Sequence, residues 1–290
     1  MFVFKAGVVG AGVMGGEISQ VIAAAGIPVV LKDVDEKFVD AGLKKAREVT
    51  QGQVAKLVKR GKISEEDAAA QADRTLSLIT GTTDYGEFGG VDFVIEAVPE
   101  KMEIKHAVFA ELDAATPGHA ILASNTSGLS ITEIGDATNR PDKVVGFHFF
   151  WPASYMRLIE VIEGEDTSPE TAQAAANFAQ AIKKMPVRCH ECPGFVVNRI
   201  LVSTASEIWR YQDETGIDVE QLDQLITEKA QMPMGPFRVA DMSGLDTVVK
   251  VARDMRDAYG DRFYVHRGME EKVEAGELGA KTGKGFYEHR

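Results

Sequence analysis

Two residues able to form an acid–base pair, His148 and Glu160, fall on separate runs that each read as a β-strand, Val144 to Phe149 and Leu158 to Ile162. If those strands pair, the imidazole can hydrogen-bond a carboxylate that fixes its tautomer and raises its basicity. The result would be a general base suited to an alcohol proton. A histidine among Phe147, Phe149 and Phe150 also reads as a packed core residue, and spacing alone leaves both readings open.

A second constellation is Gly10-Ala11-Gly12-Val13-Met14-Gly15, which follows a short apolar strand and opens a helix. That context makes it a dinucleotide fingerprint rather than a bare G-x-G-x-x-G. Gly10 permits the tight turn, Gly12 lets the backbone approach a pyrophosphate, and Gly15 lets helix pack on strand. Asp33 closes the second strand eighteen residues after Gly15, where a carboxylate bonds the ribose 2′-hydroxyl and repels a 2′-phosphate. NAD is therefore expected over NADP, with Lys32 weighing slightly the other way.

Other groups are less specific. Ser124-Asn125-Thr-Ser127 follows a strand at its C-terminal end, where ligands bind in open α/β sheets, but it equally reads as a polar turn with a helix cap. Cys189-His-Glu-Cys192 lacks the thioredoxin-like context of a redox motif and the second ligand pair of a zinc site, so no metal is expected. Between Lys37 and Lys62 eight basic residues face only Asp40 and Glu48. That segment is an anion site or a solvated helix face.

The elements that must hold these groups alternate. A strand to Gly10, a helix from Glu17 to Ala25 and a strand from Pro28 to Leu31 form a βαβ opening. The next strand, Leu76 to Thr80, comes so much later that the intervening insert, about 36–74, must contain helices of its own. Strands follow at Val91 to Val98, Ala120 to Ser124, Val144 to Phe149, Leu158 to Ile162 and Pro186 to Cys189, with helices at Lys105 to Ala115 and Ser168 to Ile182. This predicts an α/β, doubly wound, mainly parallel sheet. Beyond Pro193-Gly194 only helical patterns remain, at Phe195 to Tyr211, Val219 to Lys229 and Leu245 to Tyr259. The predicted domains are 1–190 and an all-helical 191–290.

Composition sets the outer limits. The 290-residue chain is 44% hydrophobic and 26% charged, as in ordinary globular proteins. Its net charge of −12 disfavours nucleic acid. No apolar run reaches the roughly 20 residues of a membrane span. Two cysteines and a strand-like opening without a leader point to the cytoplasm.

The glycine fingerprint, Ile95-Glu-Ala-Val-Pro-Glu100, Ser124-Asn-Thr-Ser127, Gly146-Phe-His148-Phe-Phe, Pro193-Gly-Phe-Val-Val-Asn198-Arg and Lys281-Thr-Gly-Lys-Gly-Phe-Tyr287 occur in this order. Over essentially its whole length the chain resembles the L-3-hydroxyacyl-CoA dehydrogenase family. The resemblance implies a Rossmann domain, a helical C-terminal domain, a homodimer, NAD as cofactor and a 3-hydroxyacyl-CoA substrate of fatty-acid β-oxidation or related metabolism. It implies His148 as base, Glu160 as its orienting partner, Ser127 against the substrate 3-oxygen and nicotinamide, and Asn198 as a substrate-holding group. Glu100, Lys105 and Lys281 would lie near the nicotinamide side of the cofactor, with Asn125 also in the cofactor set. Lys56 matches a coenzyme A-binding lysine. One position departs from the pattern: Trp151 stands where the family commonly has Asn, and a ring cannot replace an amide that donates and accepts. Altered acyl specificity is the expectation there. The alternatives are a same-fold dehydrogenase of hydroxy acids that does not use coenzyme A, and a non-catalytic NAD-binding subunit.

Overall fold

The computed structural model describes residues 2–289, which divide into two units, 2–192 and 193–289. The first unit is built on eight strands: β1 (Ala6–Val9), β2 (Val29–Lys32), β3 (Ile79–Thr82), β4 (Phe93–Glu96), β5 (Ile121–Ser124), β6 (Val144–Phe149), β7 (Leu158–Glu163) and β8 (Met185–His190). They lie in the order β3-β2-β1-β4-β5-β6-β7-β8. Neighbours from β3 to β6 are parallel, β6 and β7 are antiparallel, and β7 and β8 are parallel again. β1, β2, β4, β5 and β6 are buried at every position, which is why they read as continuous apolar runs and not as alternating ones.

Helices α1 (Val13–Ala24), α2 (Glu36–Lys59), α3 (Glu65–Ser77), α4 (Met102–Ala115), α5 (Ile131–Gly135) and α6 (Pro169–Ala181) fall between the strands. The insert is two helices. Asp35 caps α2 by accepting from the Lys37 N–H at 2.9 Å, and Ser64 caps α3 through the Asp67 N–H at 3.0 Å. Val54, Ala68 and Ala72, with Val58 and Ile63 against them, give the pair its own small core. Below it, Ile18, Ile22, Leu31, Ile95, Phe93, Phe147 and Phe178 form the main core of the unit.

The second unit contains α7 (Val197–Thr215), α8 (Val219–Lys229), α9 (Pro236–Ser243), α10 (Leu245–Tyr259) and α11 (Arg267–Glu274) around Trp209, Leu222, Phe237, Leu245 and Val249. Isolated bridges join Gly279 to Lys284 and Lys284 to Glu288, so the helical unit ends in a small bridged turn that helical periodicity does not show. Three helices go beyond the sequence expectation. α5 starts at Ser130, whose hydroxyl accepts from the Glu133 N–H at 3.0 Å, and the Ser-x-x-Glu signal is there to be read. α9 is capped from another helix, by Asp223 accepting from the N–H groups of Phe237 and Arg238. α11 is capped by a histidine, His266, an unusual cap residue. Among the described residues no helix is long and apolar enough to cross a membrane.

Candidate active site

The chain leaves β1 toward β2 on one side and later enters β4 on the other, so a crevice opens at the carboxyl ends of β1 and β4, the usual ligand position in such sheets. Gly10 sits there at φ +99°, where a Cβ would meet the Ala97 carbonyl oxygen at 2.5 Å. Gly15 lies so close beneath the turn that its Cβ would meet the Gly10 oxygen, which brings α1 onto β1. At Gly12 the space a Cβ would take is open, and no side chain among the described residues caps the N-terminus of α1. Uncapped N–H groups and an open approach at a helix start fit the pyrophosphate of a dinucleotide. Ala11, Val13 and Met14 complete the turn, with Val13 exposed.

Asp33 follows β2, and its carboxylate accepts from the Ala11 N–H at 2.6 Å and the Val34 N–H at 2.7 Å. The acid is thereby tied to the glycine turn. Lys32, the residue that weighed against NAD, is buried with its ammonium 4.2 Å from the centre of the Tyr85 ring, so its charge is not offered to a 2′-phosphate.

The ends of β4 and β5 carry a polar network. Lys105 is buried, and its ammonium bonds Glu96 at 2.8 and 3.0 Å and pairs with Glu100 at 3.2 Å. Ser124 donates to Glu96 at 2.6 Å. Glu100 accepts from the Thr126 hydroxyl at 2.5 Å and from the Ser127 N–H at 2.9 Å. Asn125 accepts from the Phe149 N–H at 2.9 Å and so ties the turn after β5 to the end of β6. Ser127 and Glu100 are the exposed members. The Lys105 ammonium is thus taken up by Glu96 and Glu100.

His148 and Glu160 face each other in register across the antiparallel β6–β7 pair, with Nδ1 2.7 Å from a glutamate oxygen. Both are buried, Glu160 completely. A carboxylate only accepts, so Nδ1 carries the hydrogen and the basic lone pair is on Nε2. The Phe150 ring lies 4.6 Å from the imidazole, centre to centre.

Beyond β6, Trp151 is exposed, and in the stretch that follows Tyr155 meets Lys56 of the insert. Glu17 of α1, itself buried, accepts from the N–H and hydroxyl of Ser154 at 3.2 and 3.3 Å and pairs with Lys45 at 3.3 Å. Lys184 donates to the Ala153 and Met156 carbonyls at 2.5 and 2.7 Å. Burial holds its pKa below the ordinary lysine value, and the Glu17 charge works the other way. Lys56, in the last turn of α2, donates to the Tyr155 hydroxyl. Glu17, Glu96, Thr126, Tyr155 and Lys184 were not singled out by the sequence reading. Of these, Glu96 and Thr126 stood in quoted motifs, and the rest act through long-range partners that leave no local pattern.

Asn198 and Lys281 belong to the second unit. Asn198 lies in the first turn of α7, and the Lys281 ammonium donates to Asp246 at 2.7 Å and Thr247 at 2.9 Å. The Cys189 thiol is pushed up to about 12, by burial first and by the Glu160, Cys192 and Glu163 charges after it, which works against thiolate chemistry.

A turn built for a dinucleotide and an imidazole–carboxylate pair on one sheet define an oxidoreductase that exchanges hydride with a nicotinamide. Family models agree: residues 5–192 match the 3-hydroxyacyl-CoA dehydrogenase NAD binding domain, and residues 194–289 match the C-terminal domain. The chain belongs to the 3-hydroxyacyl-CoA dehydrogenase family. It is 37% identical over 286 residues to a probable 3-hydroxybutyryl-CoA dehydrogenase of Deinococcus radiodurans, covering 98% of this chain and 100% of the relative. It is 40% identical over 289 residues to a fatty acid oxidation complex subunit alpha of a Psychrobacter species, covering 98% of this chain but 38% of that longer protein. Among solved structures, the (S)-3-hydroxybutyryl-CoA dehydrogenase PaaH1 from Ralstonia eutropha matches with a TM-score of 0.91 at 34% identity, covering 100% of both chains.

Proposed function

We propose that this protein catalyses the reversible NAD-dependent oxidation of a (S)-3-hydroxyacyl-CoA to the 3-ketoacyl-CoA, in fatty-acid β-oxidation or related acyl-CoA metabolism. The observation that carries it is the His148–Glu160 pair, whose 2.7 Å bond puts the proton-accepting lone pair on Nε2. In the oxidation direction Nε2 takes the hydroxyl proton as the C3–H bond breaks, and the imidazolium that forms is stabilised by buried Glu160. NAD, when bound, would supply the acceptor for the hydride that leaves C3. In reduction His148 returns the proton to the 3-oxygen. The thioester carbonyl is not the bond being changed, so the remaining task is to hold C3 in near-attack position.

Ser127 is our candidate for the hydrogen bond to the 3-oxygen, with its backbone held by Glu100. Gly10 to Gly15, Asp33, Glu100, Asn125 and Lys281 make up the proposed cofactor set, with Lys105 behind Glu100. Asn198, Lys56 and Trp151 are proposed substrate groups, Lys56 for the coenzyme A phosphates. A homodimer in the cytoplasm is the assembly this reading takes.

The test is loss of NADH absorbance on mixing the protein with acetoacetyl-CoA, beside NADPH and a His148→Gln variant. The expected result is turnover with NADH, little with NADPH, and none with the variant. No turnover with this or longer 3-ketoacyl-CoA substrates, despite tight NADH binding, would favour a hydroxy-acid dehydrogenase without coenzyme A or a non-catalytic subunit.

A further inference from the structure

Within the basic segment the lysines differ in what holds them. Lys37 pairs with Asp35 at 3.0 Å, Lys45 with Glu17 at 3.3 Å and Lys44 with Glu48 at 4.0 Å, so carboxylates offset their charges. Lys56 is held instead by a neutral oxygen, the Tyr155 hydroxyl. Its charge is therefore undiminished while one of its three N–H groups is tethered. A free lysine side chain carries about 2 kcal/mol of rotamer entropy, and a tether removes part of that cost before an anion arrives. The phenol still has its own proton to donate, so the pair presents ammonium and hydroxyl donors side by side.

The tether is only as good as its post, and the post is fixed. Tyr155 lies between residues clamped from two directions, Ser154 by Glu17 and the carbonyls of Ala153 and Met156 by Lys184. Its own N–H donates to the Pro152 carbonyl at 3.0 Å. An exposed tyrosine on a surface turn would ordinarily be mobile, but here the backbone beneath it is bonded to α1 and to the residue before β8.

We propose that Tyr155 is a positioning residue that sets Lys56 for the phosphates of the substrate's nucleotide arm. This rests on the acyl-CoA reading given above. The experiment compares acetoacetyl-CoA with the N-acetylcysteamine thioester of acetoacetate, which has the reacting carbon but no phosphate. In Tyr155→Phe, which keeps the ring and removes the hydroxyl, KM for acetoacetyl-CoA should rise about fivefold with kcat within twofold, the scale of one ordinary hydrogen bond. KM for the short thioester should not move. Lys56→Ala should raise KM for acetoacetyl-CoA further, and the double variant should be no worse than Lys56→Ala alone. Equal shifts for both thioesters, no shift for either, or additive effects of the two substitutions would overturn the proposal. A wild-type enzyme that reduces both thioesters with the same KM would overturn it together with the Lys56 assignment. Wild-type discrimination left intact in Tyr155→Phe would overturn the proposal alone.

Discussion

Each unit buries a histidine beside a carboxylate, and the two pairs are wired differently. In the first unit Glu160 takes the Nδ1 hydrogen of His148 at 2.7 Å, which places the lone pair at the far nitrogen of the ring. In the second unit His266 gives its Nε2 hydrogen to Gln212 at 2.7 Å, with Asp213 at 3.5 Å, and its Nδ1 lone pair accepts the Met269 N–H that begins α11. The lone pair of His266 is spent on a helix cap. Burial is similar in the two, at 5% and 3% exposure, so burial does not separate base from buttress. What differs is the group that takes the ring hydrogen, a carboxylate at Nδ1 of His148 and an amide oxygen at Nε2 of His266.

The largest effect should come from removing the first of these rings. His148→Gln is expected to lower kcat by about 10³-fold or more, as loss of a general base does, with little change in the thermal midpoint. A variant that kept a tenth of wild-type kcat would break the contrast. Glu160→Gln should cost about 10²-fold in kcat, because an amide can donate to Nδ1 and so move the lone pair to the wrong nitrogen. Asp213→Asn, its counterpart in the second unit, should leave kcat of the folded protein unchanged; steady-state kinetics beside circular dichroism would check both.

The third effect is on stability. His266→Ala removes a helix cap and should cost about 1–2 kcal/mol in denaturant unfolding. Its pH dependence has a definite sign. Burial holds the His266 pKa below the usual 6.5, with the Asp213 and Glu271 charges opposing and Arg267 adding to the shift. Above the unfolded value the ring is neutral in both states and its contribution is complete. As pH falls below about 6.5 the unfolded chain takes up a proton that the folded one resists, and stability is lost. Denaturant midpoints measured between pH 7.5 and 5.5 should fall more steeply for the wild type than for His266→Ala, and equal slopes would refute the assignment. The smallest effect concerns Trp151, three residues past His148. Trp151→Asn should shift relative kcat/KM across acyl chain lengths by less than about tenfold, the range a pocket contact supplies. An unchanged profile would remove Trp151 from the specificity determinants.

The two histidines also show what a sequence discloses. His148 and Glu160 were readable as a pair because strands run straight and the two apolar runs are near neighbours in the chain, so pairing brings particular residues opposite one another. The Rossmann sheet was readable for the same reason, as were Gly10 to Gly15 and Asp33. His266 has no such signature: its partners Gln212 and Asp213 are more than fifty residues away on another helix. The Asp223 cap on α9 and the Lys184 clamp on Ala153 and Met156 are likewise long-range contacts of single side chains. Lys105 is the middle case. The family resemblance marks it, yet only the fold shows its ammonium enclosed by Glu96 and Glu100.

The stretch from Trp151 to Met156 hangs from Glu17 and Lys184, while the orientation of His148 is set across the sheet by Glu160. The fastening of this loop and the aiming of the base thus use no residue in common. In engineering terms the loop is an exchangeable cassette: a library confined to Trp151, Tyr155 and Met156 would sample substrate preference with the proton-transfer apparatus left as it stands. Divergence among descendants of this chain could follow the same route, one turn of backbone at a time.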